Sequence, residues 1–127
     1  MLDQYPDVND DQLWWFHMID ECIFNLADKP QNTISRIGGG KIDVSDDIAN
    51  DLDSYFSAIK SNHAYLTDMN YFKSVSAILE EIDDVTNWTN DAFINDAKWK
   101  EIRIKAKCAY LQRFGLTSRC TGADHSA

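Results

Sequence analysis

Basic side chains are scarce over most of this chain. Residues 1–96 carry 5 Lys or Arg against 19 Asp or Glu, a net of −14, while residues 97–127 carry 7 basic and 2 acidic side chains, so the whole 127-residue chain stands at −9. A field of that sign repels nucleic-acid phosphates and anionic lipid and steers a basic protein inward. Neither nucleic acid nor membrane is therefore expected as a partner.

Long apolar runs are missing too. The nearest candidate, Leu13 to Leu26, is interrupted by His17, Asp20, Glu21 and Asn25 and is too short and too charged to cross a bilayer. Met1-Leu2-Asp3-Gln4 sets no basic residue ahead of an apolar stretch, so no secretory signal is expected. Cys22, Cys108 and Cys120 are odd in number and lack paired spacing, which reads as reduced thiols in a cytoplasmic protein.

Catalytic signatures are absent as well. There is no Gly-x-Ser-x-Gly elbow, no His-Glu-x-x-His helix and no Cys-x-x-Cys pair. Gly38-Gly39-Gly40-Lys41 lacks the spacing of a phosphate loop, because Ile42 rather than a hydroxyl residue follows the lysine. His17 and Glu21 stand one turn apart without the second Glu-x-x-His pair that a bundle metal site uses. No catalytic residue, metal site or cofactor is expected, and the chain reads as a non-enzyme.

Helical periodicity is abundant. With 44% hydrophobic and 12% aromatic residues, the chain has enough apolar material to offset the entropy of ordering its backbone. Asn9 and Gln12 form a capping box, with Val8 and Leu13 placed as a hydrophobic staple. Trp15, Met18, Ile19, Cys22, Ile23 and Leu26 then repeat at three and four residues, and Trp14, Phe16 and Phe24 widen that face towards complete burial, until Pro30 ends the element. Thr33, Ile34, Ile37, Ile42 and Val44 flank three glycines and predict a small β-hairpin or a loop near residues 33–44. A second helix starts at Ser45 and buries Ile48, Leu52, Phe56 and Ile59, and a third carries Phe72, Val75, Ile78 and Ile82. The fourth runs from Thr89 or Asn90 to a glycine stop at Gly115, and a flexible tail covers about 117–127. The expectation is an all-α, single-domain bundle of about four main helices, with its core over about 8–116 and up-and-down order.

Two acidic surfaces stand out. Glu80, Glu81, Asp83 and Asp84 crowd the C-terminal end of the third helix, where the helix dipole disfavours carboxylates. Such a broken local rule points to a binding surface, unless Lys98, Lys100, Arg103, Lys105 and Lys107 neutralise the cluster within the fold. Asp43, Asp46, Asp47, Asp51 and Asp53 gather at the start of the second helix. Tyr55, Tyr65, Tyr71, Trp14 and Trp88 are candidate aromatic anchors beside them. Partner binding is assigned to Glu80, Glu81, Asp83, Asp84, Asp46, Asp47, Asp51 and Tyr55.

With its small size, missing signal, strong acidity and the carboxylate pairs Glu80-Glu81 and Asp83-Asp84, the chain resembles the immunity proteins that bacteria pair with secreted toxin domains, including those of contact-dependent growth inhibition systems. The resemblance implies a cytoplasmic protein that binds a cognate toxin, often a basic nuclease, and blocks its active site or an adjacent surface. The basic fourth helix departs from a uniformly acidic inhibitor. Two other readings compete: an acidic DNA mimic or adaptor, and a small helical enzyme with a divalent ion held by Asp20, Glu21, Glu80 and Asp84.

Overall fold

The computed structural model describes residues 10–61 and 69–114, all of them helical or in turns and loops between helices. The elements are α1 (Asp10–Ala27), α2 (Pro30–Gly38), α3 (Val44–Ser61), α4 (Met69–Asp83), α5 (Asn90–Asn95) and α6 (Ala97–Arg113). The Asn9 capping box, Tyr65, Cys120, the Gly115 stop and the tail from 117 fall outside the described residues. No helix among the described residues is long and apolar enough to cross a membrane.

The described residues are all-α, but they form six helices where about four main ones were expected, and residues 33–44 form no strand. α1 stops at Ala27, ahead of Pro30 as expected, but Pro30 also opens α2, at a position where its missing N–H costs nothing and its fixed φ suits the helix. Pro30, Thr33, Ile34 and Ile37 are spaced at three and four residues, a helical stripe whose β-branched members imitate a strand in composition. Thr33 is fully buried, and its hydroxyl donates to the Asn25 carbonyl (2.8 Å), which ties α2 to the end of α1. The three glycines end the helix. Gly39 adopts the left-handed conformation (φ 60°), and the amides of Gly39 and Gly40 donate to the carbonyls of Ser35 (3.1 Å) and Ile34 (3.4 Å). Gly38 lets the Ile42 side chain pack against its backbone where a Cβ would collide.

The expected fourth helix is also divided, because Asp96 competes with helix continuation. It is extended (φ −70°, ψ 136°), its amide closes α5 on the Ala92 carbonyl (2.7 Å), and its carboxylate caps α6 at the Lys98 amide (2.9 Å).

The four long helices surround one core, each antiparallel to the next. Trp14 on α1 meets Tyr55 on α3, Phe56 on α3 meets Phe72 on α4, Glu81 on α4 meets Lys98 on α6, and Tyr110 on α6 meets Phe24 on α1. Phe16 and Phe72 join α1 to α4 across the middle (5.4 Å). The short helices α2 and α5 lie against each other and against α3 at one end of the bundle. Beneath that end Trp88 and Phe93 set their rings edge-on to the fully buried Trp99.

Two loops meet there and cap each other's helices. The Asn90 side chain accepts from the Val44 amide (3.0 Å) at the start of α3 and donates to the Ile42 carbonyl, while Asp43 accepts from the Asn90 amide (3.0 Å) at the start of α5. Asp43, read from sequence as part of an acidic surface, is thus a capping residue. Asn90→Ala removes both side-chain bonds of this clasp and is expected to cost about 2 kcal/mol. Urea unfolding measures it, and a loss below about 0.5 kcal/mol would show that the two loops hold without the clasp.

Complete burial of α1 does not occur. A bundle helix buries a stripe rather than its whole circumference, and Trp14 and Phe24 remain 52% and 40% exposed. Phe24 is covered by Tyr110 and by the Arg36 guanidinium, 5.2 Å from its centroid.

The thiols behave unequally. Cys22 is free and buried, and burial pushes it up to about 12, with Asp51 and Glu21 adding to the effect, so it acts as a small apolar side chain. Cys108 is disulfide-bonded, against the expectation of reduced thiols. Cys108 is buried on α6, and helical spacing carries no information about a second sulfur.

Candidate functional site: an acidic groove between α1 and α3

Helical spacing puts Trp14, Met18, Glu21 and Asn25 on one side of α1, and Asp47, Asp51 and Tyr55 on the facing side of α3. Antiparallel packing aligns the two rows. Between them runs a groove of about 410 Å³, lined by Met18, Glu21, Cys22, Asn25, Asp47, Ile48 and Asp51, with Ile37 of α2 closing one end. Beyond its other end the exposed Trp14 stands edge-on to Tyr55, with centroids 5.5 Å apart. The strip thus passes from an aromatic pair to three carboxylates on an apolar floor.

Glu21, Asp47 and Asp51 form no ion pair among the described residues. Burial raises the Asp51 carboxyl above its usual range, and the neighbouring Asp47 raises it further. Burial likewise raises the Tyr55 phenol, with Asp51, Cys22 and Glu21 contributing. The groove therefore holds negative charge at a cost that an incoming cation would relieve.

The second predicted surface is organised differently. Lys98 reaches Glu81 (3.0 Å), Asp84 (3.9 Å) and Glu101 (3.9 Å), and Lys105 reaches Glu81 at 3.2 Å. Hydrogen bonds from Lys98 and then Lys105 hold the Glu81 carboxyl below its ordinary range. Glu81 is thus paired within the fold, while Glu80, Asp83 and the 75%-exposed Asp84 face solvent. Of the other basic residues expected to neutralise the cluster, Arg103 instead donates to the Phe93 carbonyl and lies over the Phe93 ring. Lys100 and Lys107 form no ion pair among the described residues.

Asp46, Asp47 and Asp51 are exposed, and Tyr55 is half-buried behind Trp14. Tyr71 is not a surface anchor: it is buried and donates its hydroxyl to Asp20 (2.8 Å). Trp88 is half-buried and packs edge-on to Trp99. The proposed metal set does not assemble. Asp20 is buried beside Arg113 and Tyr71, Glu21 lines the groove, and Glu80 and Asp84 lie at the end of α4; no group of three metal-ligating side chains occurs among the described residues. Met18, Asn25 and Ile37 lie outside the partner surface that the sequence predicts, and Glu21 enters there only as a metal ligand. The outward row 14-18-21-25 was the available signal, masked because Trp14 and Met18 also fit the apolar face.

Comparison with protein-family models, curated proteins and solved structures finds no match to the chain.

Proposed function

We propose that this chain is a non-catalytic binding protein that neutralises a basic protein, in the manner of an immunity protein blocking its cognate toxin, and that the groove between α1 and α3 is its contact surface. The observation that carries this reading is the pairing of three uncompensated carboxylates, Glu21, Asp47 and Asp51, with the exposed Trp14–Tyr55 pair on one strip. Interface centres use aromatic anchors with charges whose partners lie on the other protein, and a negative strip speeds association with a basic surface. Glu80, Asp83 and Asp84 add to the long-range field from the end of α4. The reading places the encounter in the cytoplasm.

The test begins with recovery of the companion from the native host and a check that this chain suppresses its toxicity. Asp47→Asn with Asp51→Asn is then expected to weaken binding at least about tenfold, equivalent to about 1.4 kcal/mol, without loss of stability, since the change relieves repulsion between two exposed side chains. Neutralising Glu80, Asp83 and Asp84 together should mainly slow association at low salt. Unchanged affinity in the Asp47/Asp51 variant would remove the groove from the interface, and absence of any basic companion would remove the inhibitor reading.

A further inference from the structure

The two lysines nearest the junction of α3 and α4 frame a second groove of opposite character. It measures about 220 Å³ and is lined by Phe56, Lys60, Met69, Phe72, Lys73 and Ser76. Phe56 and Phe72 form its floor, with ring centroids 6.2 Å apart, and the 45%-exposed Met69 forms a wall. The Lys60 ammonium stands over that floor, 5.7 Å from the Phe56 centroid. Lys73 rises from the second turn of α4, whose first turn holds no acidic residue. Neither ammonium has a carboxylate within ion-pair distance among the described residues. Only five basic side chains occur in residues 1–96, and two of them meet at this one groove.

An apolar cleft rimmed by two ammonium groups complements a molecule with an apolar body and a negative end. Its volume lies below the roughly 300–1,000 Å³ of pockets that take drug-sized ligands, so a single ring or a short branched chain is the size that fits. We propose that this groove binds a small carboxylate with a compact apolar body, its ring or chain against Phe56, Phe72 and Met69 and its carboxylate between Lys60 and Lys73. The Ser76 hydroxyl is available as a further donor. The site uses other residues than the partner groove and stands or falls separately from it.

Phenylacetate is the probe, followed by amide and methionine-methyl NMR shifts on the intact chain. Two controls separate charge from shape: phenethylamine keeps the ring and reverses the charge, and acetate keeps the carboxylate without the ring. The expected result is saturable shifts at Met69, Phe72, Lys73 and Ser76, with a dissociation constant on the order of 1 mM for so small a ligand. Both controls should bind at least about tenfold more weakly, and Lys60→Met with Lys73→Met should cost a similar factor. The substitution retains most of each aliphatic stem, and an unchanged amide spectrum elsewhere would show that the fold is intact. Absence of saturable shifts at these residues, equal binding of phenethylamine, or undiminished binding by the double variant would each overturn the proposal.

Discussion

Arg113→Met is expected to destabilise the protein by about 3–5 kcal/mol at neutral pH, because it strands a buried carboxylate. Asp20 and Arg113 are both 5% exposed. The guanidinium donates from Nη2 to Asp20 Oδ2 (3.3 Å) and holds its Nε at ion-pair distance from Oδ1 (3.3 Å), the Tyr71 hydroxyl donates a second hydrogen bond to Asp20, and Arg113 also lies over the Tyr71 ring at 5.4 Å. The pair joins α1, α4 and α6 where the bundle interior is otherwise apolar.

The pH dependence distinguishes this mechanism from simple loss of packing. Burial raises the Asp20 carboxyl, with Arg113 and the Tyr71 hydroxyl pulling against that rise. A carboxyl whose folded pKa exceeds its unfolded value binds a proton more readily when folded. Its ionised form therefore counts against the fold at high pH, and the penalty fades as pH falls through the folded pKa. Without Arg113 that pKa rises further, so the deficit of the variant relative to the parent should shrink on acidification from about pH 7 to pH 5. Glu81 and Asp28 act with the opposite sign, since their carboxyls are held below the ordinary range and their contribution is lost as pH falls. They are common to both proteins and cancel in the difference. Asp20→Asn combined with Arg113→Met should recover much of the loss by removing both charges. Denaturant unfolding at the two pH values gives the answer, and a deficit independent of pH would show that the ion pair is not its source.

Trp99→Ala should cost about as much, 3–5 kcal/mol, a large share of the roughly 5–15 kcal/mol available to a domain. Trp99 is 1% exposed, and Trp88 and Phe93 set their rings against it at 5.6 and 5.3 Å. Its indole N–H donates to the Asn87 carbonyl (3.1 Å), so it anchors the loop that carries the Asn90 clasp as well as filling the core. Trp99→Phe keeps much of the volume and loses that donor, which should leave a smaller deficit of about 1–3 kcal/mol. Trp14→Ala, at an exposed position, should stay within about 0.5 kcal/mol of the parent. Thermal and denaturant unfolding of the three variants orders them, and equal effects at Trp99 and Trp14 would contradict the difference in burial between the two residues.

Much of the helical content was legible because it depends on short-range spacing. Ile48, Leu52, Phe56 and Ile59 on α3, and Phe72, Val75, Ile78 and Ile82 on α4, are each buried as their periodicity required. Residues 30–38 were misjudged because β-branched composition competed with helical spacing, and the proline and glycines that mark that helix's ends were read as interruptions. Asp96 was overlooked because a capping carboxylate and a solvated one look alike in sequence.

Charge separated the local from the tertiary most clearly. The sequence by itself determined the all-α class, the residues available to the core and the excess of carboxylates over residues 1–96, since composition and spacing within a few residues suffice for each. Only the tertiary structure decided what each carboxylate does. Asp20 meets Arg113 from 93 residues away, Glu81 meets Lys98 and Lys105, Asp43 caps a helix 47 residues on, and Glu21, Asp47 and Asp51 share a groove with no ion-pair partner among the described residues. The physical reason is that a charge is satisfied by whatever lies within a few ångströms of it, and for helices packed side by side those neighbours are set by the fold rather than by position along the chain.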